Sequence, residues 1–314
     1  MKRPWTAERQ LTESEAAALI GARWPELADL PIRSLAGGWD NWVFQLGDDL
    51  VFRFPRREVA VGLAQAELAV LPGLAGRLPL VVPEPEFVAP GSGNGSGNGA
   101  SGGDWPFAGY RMLPGVTADE AALNHAQRRD CAVPLARFLR ALHGLPRDMV
   151  ESLGAPPDEH RRLDLSRMSE LCLERLDVAV ERGLLADRAL IDAELRGSPT
   201  EWTLDTIVLA HGDLHARNVI VDGDGRLTGV IDWGDCHRGD PAVDLSMAHA
   251  FLPASAHGVF RQEYGQISDE RWALARVRAL TVSLTIAVYS DDVGRKAQCA
   301  EARWALQNML TPDG

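Results

Sequence analysis

The sequence contains few cysteines, and they form no recognisable pair. Its four cysteines are Cys131, Cys172, Cys236 and Cys299, with no C-x-x-C spacing among them. This argues against a zinc ribbon or a disulfide framework and is typical of proteins in a reducing cytosol. The chain also lacks a stretch of about 18 uncharged apolar residues, and its N-terminal segment has no apolar core of signal-peptide length. We therefore expect a cytoplasmic protein without a membrane span.

Basic clusters are missing as well. The 32 lysines and arginines are outnumbered by 44 aspartates and glutamates, and no run rich in lysine and arginine offsets the formal net charge of −12 locally. A negative field of this size repels the phosphates of nucleic acids and favours cationic partners. We therefore expect neither a nucleic acid nor a membrane as partner. The sequence leaves the oligomeric state open.

The first third of the chain alternates between helix and strand patterns. Residues 14–24 and 58–78 have apolar residues at helical spacing. The runs WVFQL and LVFRF, separated by GDD, predict a hairpin, and residues 80–88 and 107–113 predict two more strands. Between those strands, the tract GSGNGSGNGASGGD has nothing to bury and predicts a mobile hairpin tip. Together these patterns predict an antiparallel sheet with one main helix.

Helix patterns dominate after Pro114. Residues 119–143 predict one long amphipathic helix. Further helices are expected at about 160–182, 186–197, 269–290 and 295–310. One β-rich island, VLAHGDLHARNVIVDGDGRLTGVIDWGD, interrupts them, and its DGDG centre predicts a hairpin. A chain of 314 residues can form two domains. We therefore expect an α+β fold divided into residues 1–113 and 114–314, with a hinge near residues 112–115.

The island carries two acids and an amide in a fixed order: Asp213, Asn218 and Asp232. Asp213 and Asn218 lie five residues apart on a loop, and Asp232 ends the second hairpin strand, so that folding back brings it beside Asn218. Mg²⁺ prefers oxygen ligands, of which a protein usually supplies one or two. Asn218 and Asp232 can be those ligands. Asp213 is then left to orient an incoming hydroxyl and accept its proton.

The pattern H-G-D-x-x-x-x-N followed by I-D-W, from His211 to Trp233, resembles the aminoglycoside phosphotransferase family of antibiotic kinases. The resemblance implies a two-lobed, protein-kinase-like fold and transfer of the terminal phosphate of ATP or GTP to an alcohol. It also implies that Asp213 is the catalytic base and that Asn218 and Asp232 bind Mg²⁺.

The same resemblance assigns supporting roles around the loop. His211 is similar to the histidine that supports the loop. His215 stands where protein kinases keep a lysine that faces the transferring phosphate, which implies a weaker and pH-dependent electrostatic role. Asp244, in the segment DPAVDL, would brace the catalytic loop without touching substrate.

Three upstream segments resemble the nucleotide side of the family. In AGGWDNWVFQL, Gly37 and Gly38 would let backbone N–H groups approach phosphates. Arg53 stands where kinases hold the α/β-phosphates with a lysine, and Glu67 matches that lysine's helix partner. Arginine is bulkier and planar, so this departure leaves a crippled enzyme or an ordinary surface salt bridge as alternatives. YRMLPG resembles the hinge whose backbone pairs with the base, which implicates Arg111, Met112 and Leu113.

The sequence leaves the acceptor unresolved. Aminoglycosides are polycations, which acids in a cleft would attract. The candidate acids are Asp235, Asp269, Glu270, Asp291, Asp292 and Glu301. A macrolide would also require an apolar pocket, for which Trp272, Trp304 and Leu306 are candidates, and VFRFPRRE is similar to macrolide kinases. An amino-sugar or amino-alcohol metabolite is a further alternative.

Three rival classes follow from the same residues. A metallohydrolase would leave Asn218 and Asp232 without a role. Its ligands would be His211, Asp213, His215 and His237. A nucleotide-binding regulator without turnover is suggested by Arg53. A protein kinase would carry G-x-G-x-x-G, D-F-G and an activation segment, and the sequence has none of them.

Overall fold

The computed structural model describes residues 6–91, 105–185, 188–197 and 201–310. The chain divides into two compact units. The first comprises Met1–Ala75, Val82–Leu113 and Trp233–Asp235, and the second comprises Gly76–Val81, Pro114–Asp232 and Cys236–Gly314. The main boundary between the two units follows Leu113. Two short segments belong to the unit other than the one that surrounds them in sequence: residues 76–81 to the second unit and residues 233–235 to the first. The sequence did not indicate these two segments. Apart from Gly91, the glycine-rich tract at 91–103 lies outside the described residues.

The first unit is built on a five-stranded antiparallel sheet with strand order β1-β2-β3-β5-β4. Its strands are β1 (Ile32–Gly37), β2 (Asn41–Leu46), β3 (Leu50–Pro55), β4 (Pro85–Ala89) and β5 (Phe107–Arg111), and its helices are α1 (Glu13–Arg23) and α2 (Val59–Leu74). The predicted WVFQL/LVFRF hairpin is present as β2 and β3. The strand predicted at 80–88 begins only at Pro85.

Aromatic side chains fill the core of the first unit. Phe44, Phe52 and Phe54 are fully buried because alternate positions of β2 and β3 face inward. The rings of Phe54 and Phe107 stack with centroids 4.5 Å apart. Gly109 on β5 allows this packing, since a Cβ there would lie 2.5 Å from the ring of Phe52. The sheet is therefore held by close aromatic packing as well as by its ladder of hydrogen bonds.

The second unit is mainly helical. Its helices are α3 (His125–Asp130), α4 (Ala132–His143), α5 (Arg147–Ser152), α6 (Leu165–Glu181), α7 (Arg188–Arg196), α8 (Ala242–Phe251), α9 (His257–Tyr264), α10 (Asp269–Asp292) and α11 (Lys296–Leu310). The single helix predicted at 119–143 is wrong. Residues 119–124 form a turn in which Ala122 has a φ of 49°, and Asn124 caps α3 by accepting from the Gln127 amide at 3.0 Å.

Five short strands form the β-rich island and its neighbours. They are β6 (Val116–Thr117), β7 (Val208–Ala210), β8 (Val219–Val221), β9 (Leu227–Val230) and β10 (His237–Gly239). β6, β8 and β9 make one antiparallel sheet, and β7 pairs with β10. The predicted DGDG turn is present: the Asp222 carboxylate accepts from the amides of Asp224 and Arg226, both at 2.9 Å.

Helix α10 is the only helix in the described part of the chain that is long and apolar enough to cross a membrane. Of the most apolar 18-residue window of this helix, 67% is buried inside the protein. Leu280, Leu284 and Ala287 of this helix are fully buried in a cluster with α6 and α11. Its apolar character is therefore explained by its place in the core of the second unit.

Candidate active site

The loop after β7 is anchored by one buried acid, Asp244. This residue lies on α8 and is fully buried, and it accepts the backbone amides of His211 at 2.7 Å and Gly212 at 2.9 Å. Nε2 of His143 lies 3.1 Å from the same carboxylate. Burial by itself would raise the pKa of Asp244, but the hydrogen bond and charge of His143 and the Gly212 amide outweigh it and lower that pKa to about 2.

His211 joins this loop to the end of β9. It is fully buried, its Nδ1 accepts the Asp213 amide at 3.3 Å, and its Nε2 lies 3.0 Å from the carbonyl oxygen of Ile231. The two partners assign the neutral tautomer with the proton on Nε2. His211 is therefore placed to hold the loop and not to touch a substrate.

Asn218 fixes the orientation of Asp213. Its Nδ2 donates to the backbone carbonyl of Asp213 at 2.8 Å and to the carboxylate atom Oδ2 at 3.2 Å. Among the described residues, no hydrogen bond engages Oδ1 of Asn218 or Oδ1 of Asp213. The arrangement leaves one oxygen of each side chain available for other partners.

His215 faces the same carboxylate. Its Nε2 lies 3.4 Å from Asp213 Oδ2, and its Nδ1 accepts the Arg217 amide at 3.3 Å. Burial alone would lower the pKa of His215, but the charges of Asp213, Asp232 and Asp119 raise it overall. Burial alone would raise the pKa of Asp213, but the charge and hydrogen bond of His215 lower it. The Asp213 carboxylate is therefore ionised at neutral pH. The raised pKa of His215 favours a second proton on its ring, whereas the Arg217 amide, which needs a lone pair on Nδ1, favours the neutral ring with its proton on Nε2.

Asp232 follows directly from the pairing of β8 with β9. The amide of Ile231 donates to the carbonyl of Asn218 at 2.9 Å, which extends the ladder beyond the Val219–Val230 pair. Asp232 then adopts a left-handed φ of 66°, which is uncommon for a residue other than glycine. The hairpin thus brings the backbone of Asn218 next to the residue before Asp232, as expected from the sequence.

The donor set of this loop suits a hard cation better than zinc. Asn218 and Asp232 offer oxygen atoms only, which is what Mg²⁺ prefers when phosphate and water complete its coordination. Within the described ranges, no group of three His, Cys, Asp or Glu side chains could hold a metal ion.

In the first unit, Arg53 and Glu67 form the expected ion pair. Nη1 of Arg53 lies 2.6 Å from Oε2 of Glu67, and the side chains are only 15% and 4% exposed. The Tyr110 hydroxyl donates to the other oxygen of Glu67. The pair is therefore not a surface salt bridge, and both oxygens of Glu67 are engaged.

The glycine turn lies between β1 and β2. Gly37 ends β1 opposite Trp42, and the amide of Gly38 donates to the Asn41 carbonyl at 2.8 Å. Arg56 donates to the Gly38 carbonyl at 2.7 Å. These bonds fix the turn, and they leave the Gly38 amide engaged within the turn itself.

The segment expected to be the hinge follows β5. The Arg111 guanidinium is 61% exposed and bonds to Asp49 at 2.5 Å and to Glu86 at 3.0 Å. The amide of Met112 donates to the Asp49 carbonyl at 2.7 Å. The amide of Leu113 is therefore the better candidate to donate to a nucleotide base.

Most of the C-terminal acids singled out in the sequence already have cationic partners. Asp291 and Asp292 both bond to Arg182, at 3.0 and 2.8 Å, and Asp269 bonds to Arg261 at 2.8 Å. Glu301 bonds to Arg128 at 2.5 Å. Trp272 packs on His249, Trp304 stacks on Arg128, and Leu306 is fully buried. These residues therefore contribute to structure and do not form an open acidic patch.

The structure adds one residue that sequence reasoning missed, Asp119. It is 5% exposed, and neither of its carboxylate oxygens has a hydrogen-bond partner among the described residues. Nη1 of Arg217 is 3.6 Å from Oδ2. Asp119 borders a cavity of about 30 Å³ together with His215 and Gln298, whose Oε1 also lacks a partner there. Asp119 is the first residue of the helix predicted at 119–143. An acid at the start of a helix is usually exposed, so the sequence did not indicate that this one is buried.

The model of APH, the phosphotransferase enzyme family, matches residues 31–280. The chain belongs to this family. Its members are phosphotransferases that use a nucleotide and act on an alcohol group, so the prediction made from the H-G-D-x-x-x-x-N pattern is confirmed at that level.

A curated relative is similar over most of both chains. The Uncharacterized protein YcbJ of Bacillus subtilis (strain 168) is 25% identical over 247 residues, which are 71% of this chain and 70% of that protein. The similarity therefore covers about the same share of each chain.

Solved structures share the fold. The GDP and kanamycin complex of APH(2")-IIia has a TM-score of 0.65, with 22% identity over 93% of this chain and 97% of that one. Macrolide 2'-phosphotransferase MphH from Brachybacterium faecium has a TM-score of 0.56, with 23% identity over 95% and 99%. At these identities the likeness concerns the fold, and it confirms the predicted kinase-like α+β architecture.

Proposed function

We propose that this chain transfers the terminal phosphate of ATP or GTP, with Mg²⁺, to a hydroxyl of an amine-bearing small molecule of the aminoglycoside type. The observation that carries the proposal is the state of Asp213. Its carboxylate is 39% exposed, ionised, held at Oδ2 by Asn218 and His215, and without a hydrogen-bond partner at Oδ1 in the described structure.

Asp213 acts on the acceptor. Its Oδ1 accepts a hydrogen bond from the incoming hydroxyl and so aims the hydroxyl oxygen at the phosphate. A depressed pKa makes Asp213 a weak base, which is adequate because the transition state of phosphoryl transfer is loose and the proton leaves late. His215, whose pKa is raised, adds positive charge near the transferring group when it is protonated, and its neutral ring offers the Nε2 proton there. His211 and Asp244 act only by positioning this loop.

Mg²⁺ would be held by Asn218 Oδ1 and the Asp232 carboxylate. When bound, the ion neutralises phosphate charge and orients the phosphates for in-line attack. Two observations support the fit of these residues to Mg²⁺. Both ligands are oxygen atoms, and Nδ2 of Asn218 already donates to Asp213 twice, which leaves Oδ1 of Asn218 for a cation.

The first unit would bind the nucleotide. Arg53, oriented by Glu67, would contact the α/β-phosphates, and the glycine turn at Gly37 and Gly38 would approach the phosphate chain. Of the hinge residues Arg111, Met112 and Leu113, the backbone of Leu113 would recognise the base. The buried ion pair with Glu67 favours this role over a crippled enzyme, because it orients the guanidinium.

The cavity beside His215 measures about 30 Å³, which is enough for one ammonium group of an acceptor and not for the whole molecule. Asp119 adds a buried negative charge at its wall, and Coulomb attraction of such a charge is strong where water is excluded. The net charge of −12 adds a long-range attraction for polycations. The compartment we propose is the cytoplasm, because the spacing of the four cysteines in the sequence indicates no disulfide framework.

A second candidate is a macrolide acceptor. Ala250, Ala279, Ile286 and Ala302 make much of the wall of this cavity apolar, which suits an apolar group of the acceptor, although a volume of about 30 Å³ does not hold a whole lactone. The likeness to MphH gives this alternative a structural precedent for the fold.

One experiment separates these functions. Purified protein is incubated with ATP or GTP, Mg²⁺ and a panel of aminoglycosides and macrolides, and products are examined by mass spectrometry for an added phosphate. The proposal expects phosphorylated aminoglycosides, whereas phosphorylated macrolides alone would support the second candidate. A nucleotide-dependent rise in melting temperature without transfer to any acceptor would support a regulator instead.

A further inference from the structure

A groove of about 580 Å³ lies in the second unit, separate from the catalytic loop. It is bordered by α5, the segment 157–164, the segment 202–207 and the end of β10. A volume of this size accommodates a drug-sized molecule. The groove therefore has the dimensions of a binding site.

The groove wall exposes apolar side chains. Leu204 and Ile207 are 52% and 53% exposed, and the Trp202 ring lies beside them under the guanidinium of Arg271. Leu145 and Val150 also line the groove. An apolar body lying in the groove would remove this surface from water.

The carboxylates of the groove are already compensated by arginines. Glu151 bonds to Arg147 at 2.9 Å, Asp158 to Arg162 at 2.6 Å, Asp164 to Arg161 at 2.6 Å, and Asp240 to Arg271 at 3.0 Å. None of these four acids is left to attract a cationic ligand.

Arg238 is the exception among the lining arginines. Its Nε donates to the Ala155 carbonyl at 3.0 Å, which fixes the side chain. Its two terminal nitrogens have no hydrogen-bond partner and no carboxylate partner among the described residues. A guanidinium held in this way presents two parallel donors suited to a carboxylate or a phosphate.

We propose that this groove is a second small-molecule site, which takes an amphipathic anion whose apolar body covers Leu204, Ile207 and the Trp202 ring and whose anionic oxygens bind Arg238. The strand β7 separates this site from the catalytic loop: Ile207 precedes it in the groove, and His211 follows it. The proposal does not depend on the identity of the acceptor, nor on turnover.

The test uses 2-naphthoate, with 2-naphthalenemethanol as a neutral probe of the same shape, and calorimetry on the full chain. We expect 2-naphthoate to bind below about 1 mM and about tenfold more tightly than the alcohol, because the charge-assisted bonds to Arg238 are lost with the alcohol. Arg238→Gln should weaken 2-naphthoate about tenfold and leave the alcohol unchanged. Saturating ATP and Mg²⁺ should not displace 2-naphthoate.

Arg147→Gln is the matched control, since Arg147 also lines the groove but is paired with Glu151. It should change the affinity for 2-naphthoate less than about twofold. Arg238→Lys, which keeps a charge, should recover part of the affinity and serves if Arg238→Gln does not fold. No binding of 2-naphthoate at 1 mM, equal binding of the two probes, equal effects of the two glutamine variants, or displacement by nucleotide would each overturn the proposal.

Discussion

The loop of residues 211–218 and the cluster of Arg53, Glu67 and Tyr110, called here the Arg53 cluster, organise charge in different ways. In the loop, the fully buried Asp244 holds the backbone amides of His211 and Gly212, so the chain itself fixes where Asp213 stands. In the first unit, Arg53 is held by the side chain of Glu67, which the Tyr110 hydroxyl supports in turn. A backbone anchor ties function to sequence spacing, whereas a side-chain cluster tolerates another cation of suitable reach. This explains why the loop matches its family's pattern while an arginine replaces the lysine expected at position 53.

The largest effect is expected from a substitution of Asp213, the acid of the loop. Asp213→Asn should lower turnover by about 10²–10⁴, because the acceptor hydroxyl loses its proton acceptor. Nucleotide affinity should change less than about threefold, since the substitution keeps the shape of the side chain. Turnover is measured by mass spectrometry with the acceptor found in the panel, and nucleotide affinity by calorimetry. Near-wild-type turnover would contradict the assigned role.

The anchor itself should matter for folding. Asp244→Ala should lower the free energy of unfolding by about 3–5 kcal/mol, because two backbone amides and His143 lose a buried acceptor. Urea denaturation measures this. Glu151→Ala, which removes an exposed pair with Arg147, is the control and should cost less than about 1 kcal/mol. Equal costs for the two variants would refute the idea of a backbone anchor.

The pH dependence of the free energy of unfolding also tests the role of Asp244. The pKa of Asp244 is lowered to about 2 in the folded chain, from an ordinary value near 3.8. A lowered pKa stabilises the fold above about pH 4, and this stabilisation, about 2–3 kcal/mol, is lost as the pH falls toward 2. The difference in unfolding free energy between wild type and Asp244→Asn should therefore shrink as the pH falls below about 4. A difference independent of pH would argue against an ionised Asp244.

Changes in the Arg53 cluster should have smaller effects. Arg53→Ala should weaken nucleotide binding about tenfold, and Arg53→Lys less than about threefold, because a lysine restores the charge but not the fork of donors. Calorimetry with a non-hydrolysable nucleotide measures both. A lysine variant as weak as the alanine variant would show that side-chain geometry here is as strict as in the loop.

Tyr110→Phe should have the smallest effect. It removes one hydrogen bond to Glu67 and leaves the ion pair with Arg53 intact, so stability should fall by about 1 kcal/mol. Nucleotide affinity should stay within about twofold. A loss as large as that of Arg53→Ala would mean that the hydroxyl, and not the ion pair, orients the guanidinium.

The sequence predicts the parts of the molecule that depend on local chemistry. The spacing from His211 to Asn218 and the DGDG turn are set by neighbours in the chain, so the hairpin that brings Asn218 toward Asp232 could be expected. Helix α8 was not expected, because all of its residues except Ala250 are buried and leave no amphipathic period. The break before α3 and the burial of Asp119 depend on contacts made distant in sequence, which no local pattern reports.

The most direct test asks whether Asp232 or Asp213 binds Mg²⁺. Calorimetry of nucleotide binding with and without Mg²⁺ should show a Mg²⁺-dependent gain in affinity for wild type and for Asp213→Ala. Asp232→Ala should lose that gain, because one of the two protein ligands is gone. Loss of the gain in Asp213→Ala and its retention in Asp232→Ala would contradict the account, since Asp213 would then be a metal ligand and not the group that receives the hydroxyl.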